Sequence, residues 1–130
     1  MLLLLLLLLR LLLPSPDIVA INQDSAGLPP RLVWQRPPMS ADTTSPQIRS
    51  QALARPLSRG RIALLQLNRG PAPANLSTTW AQIGIKHANM TMGVYDVISR
   101  RQAGSATGFF AARVPSHDVS FVVLDPAAPG

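Results

Sequence analysis

The stretch from Arg55 to Gly70 constrains the fold more than any other part of the chain. Its centre, Ile62 to Leu67, is a short apolar run rich in branched side chains, and a glycine-containing turn signal stands on each side, at Ser58–Gly60 and at Asn68–Pro71. Glycine adopts backbone angles that other residues avoid, and proline ends a strand because it lacks a backbone donor. The run therefore predicts a buried strand rather than a helix.

Both faces of this predicted strand are apolar. Successive side chains of a strand point to opposite faces. Such a strand belongs in the middle of a sheet, with little water on either side. The expected faces are Ile62 and Leu64 on one and Ala63, Leu65 and Leu67 on the other.

Composition bounds the architecture and the chemistry. The chain has 130 residues, enough for one domain, with 13 prolines and 8 glycines that favour turns over long helices. It has no cysteine, which excludes disulfides, thiolate zinc sites and cysteine nucleophiles. We find no metal-ligand cluster and no phosphate-binding loop, and we expect no cofactor.

Short apolar or alternating runs separated by turn signals fill the second half of the chain. Such runs predict an all-β antiparallel sandwich with Greek-key-like connections. Gln102–Gly108, which contains two glycines, is predicted to be a turn. The predicted strands are Leu32–Trp34, Gln51–Arg55, Ile62–Leu67, Asn75–Trp80, Thr91–Ile98, Phe109–Val114 and Val119–Leu124.

The N-terminal residues differ from the rest of the chain. Residues 1–13 are leucine apart from Met1 and Arg10, which is consistent with a short leucine-rich helical segment. Three interpretations remain open: a degenerate signal peptide, an interfacial anchor, or low-complexity sequence. The expected organisation is this leader at 1–13, a connecting segment at 14–30, the sandwich at 31–126 and a tail at 127–130.

Several motifs, in the same order, resemble α-galactosidases of glycoside hydrolase family 27. Pro56-Leu57-Ser58, Gly60 and Asn68-Arg69-Gly70 resemble a PLS…NRG segment in the C-terminal β-domain of that family. Asp17–Asp24 resembles the segment ending in NQD that closes the catalytic (β/α)8 barrel, and Trp80–Ile85 and Val114–His117 resemble later family segments. The resemblance implies that residues 14–30 are the barrel's end and that the sandwich is the domain that follows it.

The resemblance implies retaining hydrolysis of terminal α-linked galactose, with an α-galactoside substrate bound by a barrel. A retaining glycosidase needs two carboxylates, and in this family both lie on the barrel, in motifs that this sequence does not contain. We therefore expect no catalytic residue among these 130 and an uncertain enzymatic status for the chain by itself. Docking to a (β/α)8 barrel is the expected partnership.

The alternative hypothesis is a non-catalytic carbohydrate-binding or interaction sandwich. Trp34 and Trp80 are the candidate sugar-stacking residues, although Trp80 alternates with Leu76 and Thr78, a pattern that favours the core. Asn75 and Asn89 begin N-glycosylation sequons, which matter if the chain is secreted, lysosomal or vacuolar, as the family usually is.

The net charge of +6 raises the question of nucleic acid as a partner. The basic residues form no stripe along the sequence, and Arg100-Arg101 is the single adjacent pair. We therefore expect no nucleic-acid partner.

Overall fold

The computed structural model describes residues 21, 23–36 and 48–126. The predicted leucine-rich helical segment at 1–13, residues 14–20 of the predicted connecting segment and the tail at 127–130 lie outside the described residues.

The described residues form two antiparallel sheets. The larger sheet has six strands in the order β1-β2-β3-β8-β5-β6, and the smaller sheet pairs β4 with β7. Because β4 and β7 lie in the smaller sheet, the connections before and after each of them cross between the sheets, and the predicted all-β sandwich is confirmed. The strands are β1 Arg31–Arg36, β2 Ser50–Pro56, β3 Ile62–Asn68, β4 Ala74–Thr79, β5 Thr91–Asp96, β6 Arg101–Thr107, β7 Phe109–Val114 and β8 Asp118–Asp125.

The strand β3 lies inside the larger sheet, as predicted. It pairs with β2 on one side and β8 on the other, and all seven of its residues are buried. Its side chains divide between two apolar clusters on opposite faces of the sheet. Ile62 and Leu64 belong to the cluster between the sheets, which we call the inner cluster, and Ala63, Leu65 and Leu67 belong to the cluster on the other face, the outer cluster.

The turn between β2 and β3 is tight because two successive residues adopt left-handed backbone angles. Ser58–Gly60 forms one turn of 3-10 helix, in which Arg59 has φ 62° and Gly60 has φ 71°. Glycine takes this conformation without steric penalty. The turn presents the backbone N–H of Ser58 toward the segment that precedes β1.

The structure contradicts the prediction of a turn at Gln102–Gly108. These residues belong largely to β6, the edge strand Arg101–Thr107, and the chain reverses instead at residues 97–100. The carboxylate of Asp96 accepts the N–H groups of Ile98 and Ser99, in the middle of that turn. An edge strand exposes both faces, so it shows no apolar alternation, and Gly104 with φ 88° marks a bulge rather than a reversal.

The inner cluster contains a chain of buried polar groups that joins the two sheets. The indole N–H of Trp34 on β1 donates to Thr78 Oγ1 on β4 at 2.9 Å, and that hydroxyl donates to Gln66 Oε1 on β3 at 2.7 Å. Gln66 Nε2 in turn donates to the carbonyl of Leu76. Because each buried group has a partner, the chain fixes the smaller sheet on the larger one without an unpaired donor.

The Asn68-Arg69-Gly70 motif has a structural role at the other end of β3. The side chain of Asn68 is buried and its amide donates to the carbonyls of Ala72 and Val114, each at 2.9 Å. Its oxygen accepts the N–H of Gly70. Asn68 therefore closes the turn after β3 and fastens it to the end of β7.

We predict that Thr78→Val lowers the free energy of unfolding by about 1–3 kcal/mol, because the indole N–H of Trp34 and Gln66 Oε1 lose their shared partner inside the sandwich. Ser77→Val, on the exposed face of the same strand, is the control, and we expect a change of about 0.5 kcal/mol or less. Urea unfolding measures both. Equal effects of the two substitutions would contradict the role of the polar chain.

Candidate functional site

The described residues that precede β1, 21 and 23–30, form what we call the first segment, and the carboxylate of Asp24 is its most highly connected polar group. Its Oδ1 accepts the N–H of Ser58 at 2.7 Å, and its Oδ2 accepts the Ser58 hydroxyl at 2.9 Å and an Arg61 guanidinium N–H at 3.0 Å. The side chain of Asp24 is 4% exposed. We call Asp24, Ser58 and Arg61 the carboxylate clamp.

The local sequence of the first segment positions Asp24 for this role. The N–H of Ala26 donates to Asp24 Oδ1 at 2.9 Å, and the N–H of Gly27 donates to the Asp24 carbonyl at 3.1 Å. Aspartate readily forms such turns through its own side chain. The turn holds the carboxylate in one orientation toward the β2–β3 turn.

Arg61 connects both parts of the clamp. Its guanidinium pairs with Asp24 and also donates to the carbonyl and the hydroxyl of Ser58, at 3.1 and 3.0 Å. A planar guanidinium offers several donors in a fixed arrangement, which suits this three-way contact. Arg61 is one-third exposed, so it closes the clamp on the solvent side.

The donors around Asp24 favour its charged form. The backbone N–H of Ala26 lowers the pKa of the Asp24 carboxyl, and burial opposes this by raising it. The hydroxyl and N–H of Ser58 and the charge of Arg61 lower the pKa further, and the net direction is downward. Asp24 is therefore an ionised acceptor at neutral pH and has no proton to give as a general acid.

A groove of about 230 Å³ lies beside the clamp. Ile21 and Asp24 line it from the first segment, and Tyr95, Gln102 and Val123 line it from the larger sheet. Ile21 also packs against the outer cluster. The first segment therefore contacts the outer face of the sheet through an apolar residue and a clamped carboxylate.

The described residues hold no cluster of metal ligands and no helix long and apolar enough to cross a membrane. Of the other aspartates in the described part of the chain, Asp96 caps a turn, Asp118 accepts the N–H of Val119, and Asp125 lines the groove. Asp17 and Asp42 lie outside the described residues.

The two tryptophans occupy different environments. Trp80 is fully buried and donates its indole N–H to the Met90 carbonyl at 2.6 Å, so the expectation that it belongs to the core is confirmed and no sugar can stack on it. Trp34 is half-buried, and the Arg36 guanidinium lies 5.0 Å from its ring centroid. Sugar stacking on Trp34 remains a prediction.

Both sequon asparagines are exposed. Asn75 lies on β4 with its side chain on the solvent-facing side, and Asn89 lies in the turn before β5. Glycosylation at either position remains a prediction. The two histidines are also exposed, and His117 has φ 57° in the turn before β8.

Sequence reasoning assigned Asp24 to a connector and did not predict its contacts. Its partners are 34 and 37 residues away along the chain, and no local pattern pairs them. The available signal was the joint occurrence of an NQD triplet and a PLS…GR turn, whose polar residues meet once the β2–β3 hairpin forms.

A family profile described as the α-galactosidase C-terminal β-sandwich domain matches residues 48–124. Among curated proteins, α-galactosidase 3 of Arabidopsis thaliana is 28% identical over 116 residues, which cover 88% of this chain and 24% of that protein. The α-galactosidase of Coffea arabica is 26% identical over 115 residues, with 88% and 27% covered. The chain spans about a quarter of the length of these relatives.

Solved structures share the fold. α-Galactosidase I from Mortierella vinacea matches with a TM-score of 0.71 at 20% identity, covering 89% of this chain and 28% of that one. A family 27 β-L-arabinopyranosidase from Geobacillus stearothermophilus matches with a TM-score of 0.72 at 15% identity, covering 91% and 23%. At these identities the likeness concerns the architecture.

We predict that Asp24→Asn lowers the melting temperature by several degrees at pH 7, because the amide cannot pair with the charge of Arg61. The folded-state pKa of Asp24 is lowered, so its stabilisation is present above the unfolded-state pKa of about 3.9 and is lost as the pH falls through the folded-state pKa. The gap between the two proteins should therefore narrow on acidification below about pH 4.

Thermal unfolding followed by circular dichroism between pH 7 and pH 3 measures this gap. Asp118→Asn is the control, since that carboxylate is exposed and bonds only to its neighbour's N–H among the described residues. A gap that stays constant with pH would contradict the role of the Asp24 charge.

Proposed function

The chain belongs to the family of α-galactosidase C-terminal β-sandwich domains, and we propose that it serves as the non-catalytic part of a glycosidase that removes terminal α-galactosyl residues. In this role the sandwich docks to a (β/α)8 barrel that carries the catalytic carboxylates. The carboxylate clamp is the observation that carries the proposal, because it fastens the segment resembling the end of such a barrel onto the β2–β3 turn.

The outer face of the larger sheet is the surface that we assign to the barrel. The outer cluster includes Leu53, Leu65 and Phe121 from neighbouring strands, and Ile21 of the first segment packs against it. A sandwich needs one apolar face per sheet for its own core. A second apolar face on the same sheet supports a further layer, and Ile21 lies where a chain arriving from a barrel would enter.

The proposed substrate class follows from the names of the curated relatives, which are α-galactosidases. The sandwich itself supports no choice of sugar, since a protein named β-L-arabinopyranosidase has the same architecture. In this proposal the barrel selects the sugar, and the clamp and the outer face hold the barrel in place.

The proposal extends to a secretory, lysosomal or vacuolar location. Its support is that the asparagines of both sequons, Asn75 and Asn89, are exposed. We predict that secretion from a eukaryotic host adds a glycan at one or both positions. Removal of the glycan by a peptide amidase, followed by mass measurement, detects it as an Asn-to-Asp mass change, and a secreted chain of unmodified mass would contradict the prediction.

We predict that the purified 130-residue chain does not hydrolyse an aryl α-galactoside, since both family aspartates lie on the barrel. Residues 17–126 should instead support activity when they replace the matching segment of Arabidopsis α-galactosidase 3. We expect the graft to be active and an Asp24→Asn graft to lose activity faster on heating with little change in kcat/KM.

Deletion of the sandwich from the same relative is the reference for the graft experiment. A graft no more active or stable than the deletion would contradict the proposed docking. Equal thermal half-lives of the two grafts would contradict the role of the carboxylate clamp in it.

A further inference from the structure

The outer cluster is deeply buried, although few described residues lie over it. Leu53, Leu65 and Phe121 are 4%, 2% and 4% exposed. Apart from Ile21, every described member of the cluster belongs to the larger sheet or to a turn beside its strands. Side chains on one face of a sheet touch one another at their flanks and leave their ends open. The described residues therefore leave most of the cover of this face to the rest of the chain.

Among the segments outside the described residues, 1–13 has the most apolar surface, because it contains eleven leucines. The hydrophobic effect grows with the apolar area that leaves water, so the segment with most of that area gains most from covering an apolar face. The other segments have at most two large apolar side chains each, namely Ile18 and Val19 in 14–20, Met39 in 37–47 and none in 127–130.

The position of Ile21 brings residues 1–13 within reach of the outer cluster. Ile21 packs against the cluster, and seven residues connect it to Leu13. An extended chain covers about 3.3 Å per residue, so Leu13 lies within about 26 Å of Ile21. A helix over 1–13 would end at Pro14, because the residue before a proline is disfavoured in the helical conformation.

A helix of this length matches the width of the outer face. At about 1.5 Å per residue, a helix over residues 1–13 is about 20 Å long. The strands β2, β3, β8 and β5 lie side by side and, at about 4.8 Å between neighbours, span about 14 Å. The outer cluster has members on all four of these strands. One helix laid across the sheet therefore reaches every strand that contributes to the buried face.

We propose that residues 1–13 form a helix that lies across the outer face of the larger sheet and covers the outer cluster. A helix packed on a sheet is one of the standard layer arrangements of protein domains. The segment is shorter than the roughly 20 residues that span a bilayer, so the sheet is the apolar surface that suits its length.

The side of this helix that faces away from the sheet is also rich in leucine. A helix that is apolar all round is buried on more than one side. This step rests on the proposed function, since the barrel would be the layer that covers the second side. The barrel would then contact the sandwich through residues 1–13 rather than through the strands themselves.

Paramagnetic broadening of NMR signals in the full chain tests the proposal. The chain has no cysteine, so one introduced cysteine takes a single nitroxide label, and Arg10→Cys places it among the leucines without removing one. Broadening falls steeply with distance, and stacked layers lie about 10 Å apart, so the smaller sheet lies about twice as far from this label as β3. We expect the N–H signals of Leu65 and Phe121 to lose most of their intensity and that of Ala111, on β7, to lose much less.

Ser77→Cys is the matched control, because it places the label on the exposed face of β4, where Ser77 pairs with Ala111. This label should reverse the pattern, with a large loss at Ala111 and a small loss at Leu65. Each spectrum recorded after the nitroxide is reduced gives the reference intensities and shows that the variant is folded.

A mixture of spin-labelled protein and isotope-enriched protein without the spin label separates a second copy from the chain's own segment. Broadening of the Leu65 signal in this mixture would overturn the proposal, because a neighbouring molecule would then cover the outer face. An Arg10→Cys label that broadens β3 no more than β7 would also overturn it, and this is the result expected of an interfacial anchor. The experiment needs neither a barrel nor hydrolysis, so its failure is separate from failure of the proposed function.

Discussion

The ionised carboxylate of Asp24, bound to the turn between β2 and β3, joins the first segment to the sandwich. It closes a turn of the first segment by accepting the N–H of Ala26. It also accepts the N–H and the hydroxyl of Ser58 and one N–H of the Arg61 guanidinium. The Asp24 contacts therefore stabilise the hairpin that places β3 in the larger sheet. Removal of this carboxylate would leave the N–H of Ser58 and the guanidinium of Arg61 without their common acceptor.

The strand β3 contributes to both faces of the larger sheet. Its side chains alternate between the inner cluster, which the smaller sheet covers, and the outer cluster, which Ile21 contacts. The same strand thus serves the core of the sandwich and the attachment of the first segment. Structures with this architecture belong to proteins whose names give different glycosidase activities, so the architecture by itself does not identify a sugar.

Local sequence patterns predicted the strands whose side chains alternate between buried and exposed positions, and the strand that is buried throughout. The alternation of Leu76 and Thr78 placed β4, and the apolar run of β3 located the middle of the larger sheet. Local sequence patterns failed to predict features that depend on contacts between residues far apart in the chain. The edge strand β6 has no buried face to produce alternation, and the contacts of Asp24 form only when the first segment and the β2–β3 turn come together.

The exchange rate of the Ser58 backbone N–H, followed by NMR in deuterated water, tests the central claim most directly. That N–H donates to Asp24 Oδ1 at 2.7 Å and lies in a half-exposed turn. The account predicts slow exchange in the natural chain and much faster exchange in Asp24→Ala, which has no side-chain acceptor, with the N–H groups inside β3 unchanged. Equal Ser58 exchange rates in the two proteins would mean that Asp24 does not hold the turn.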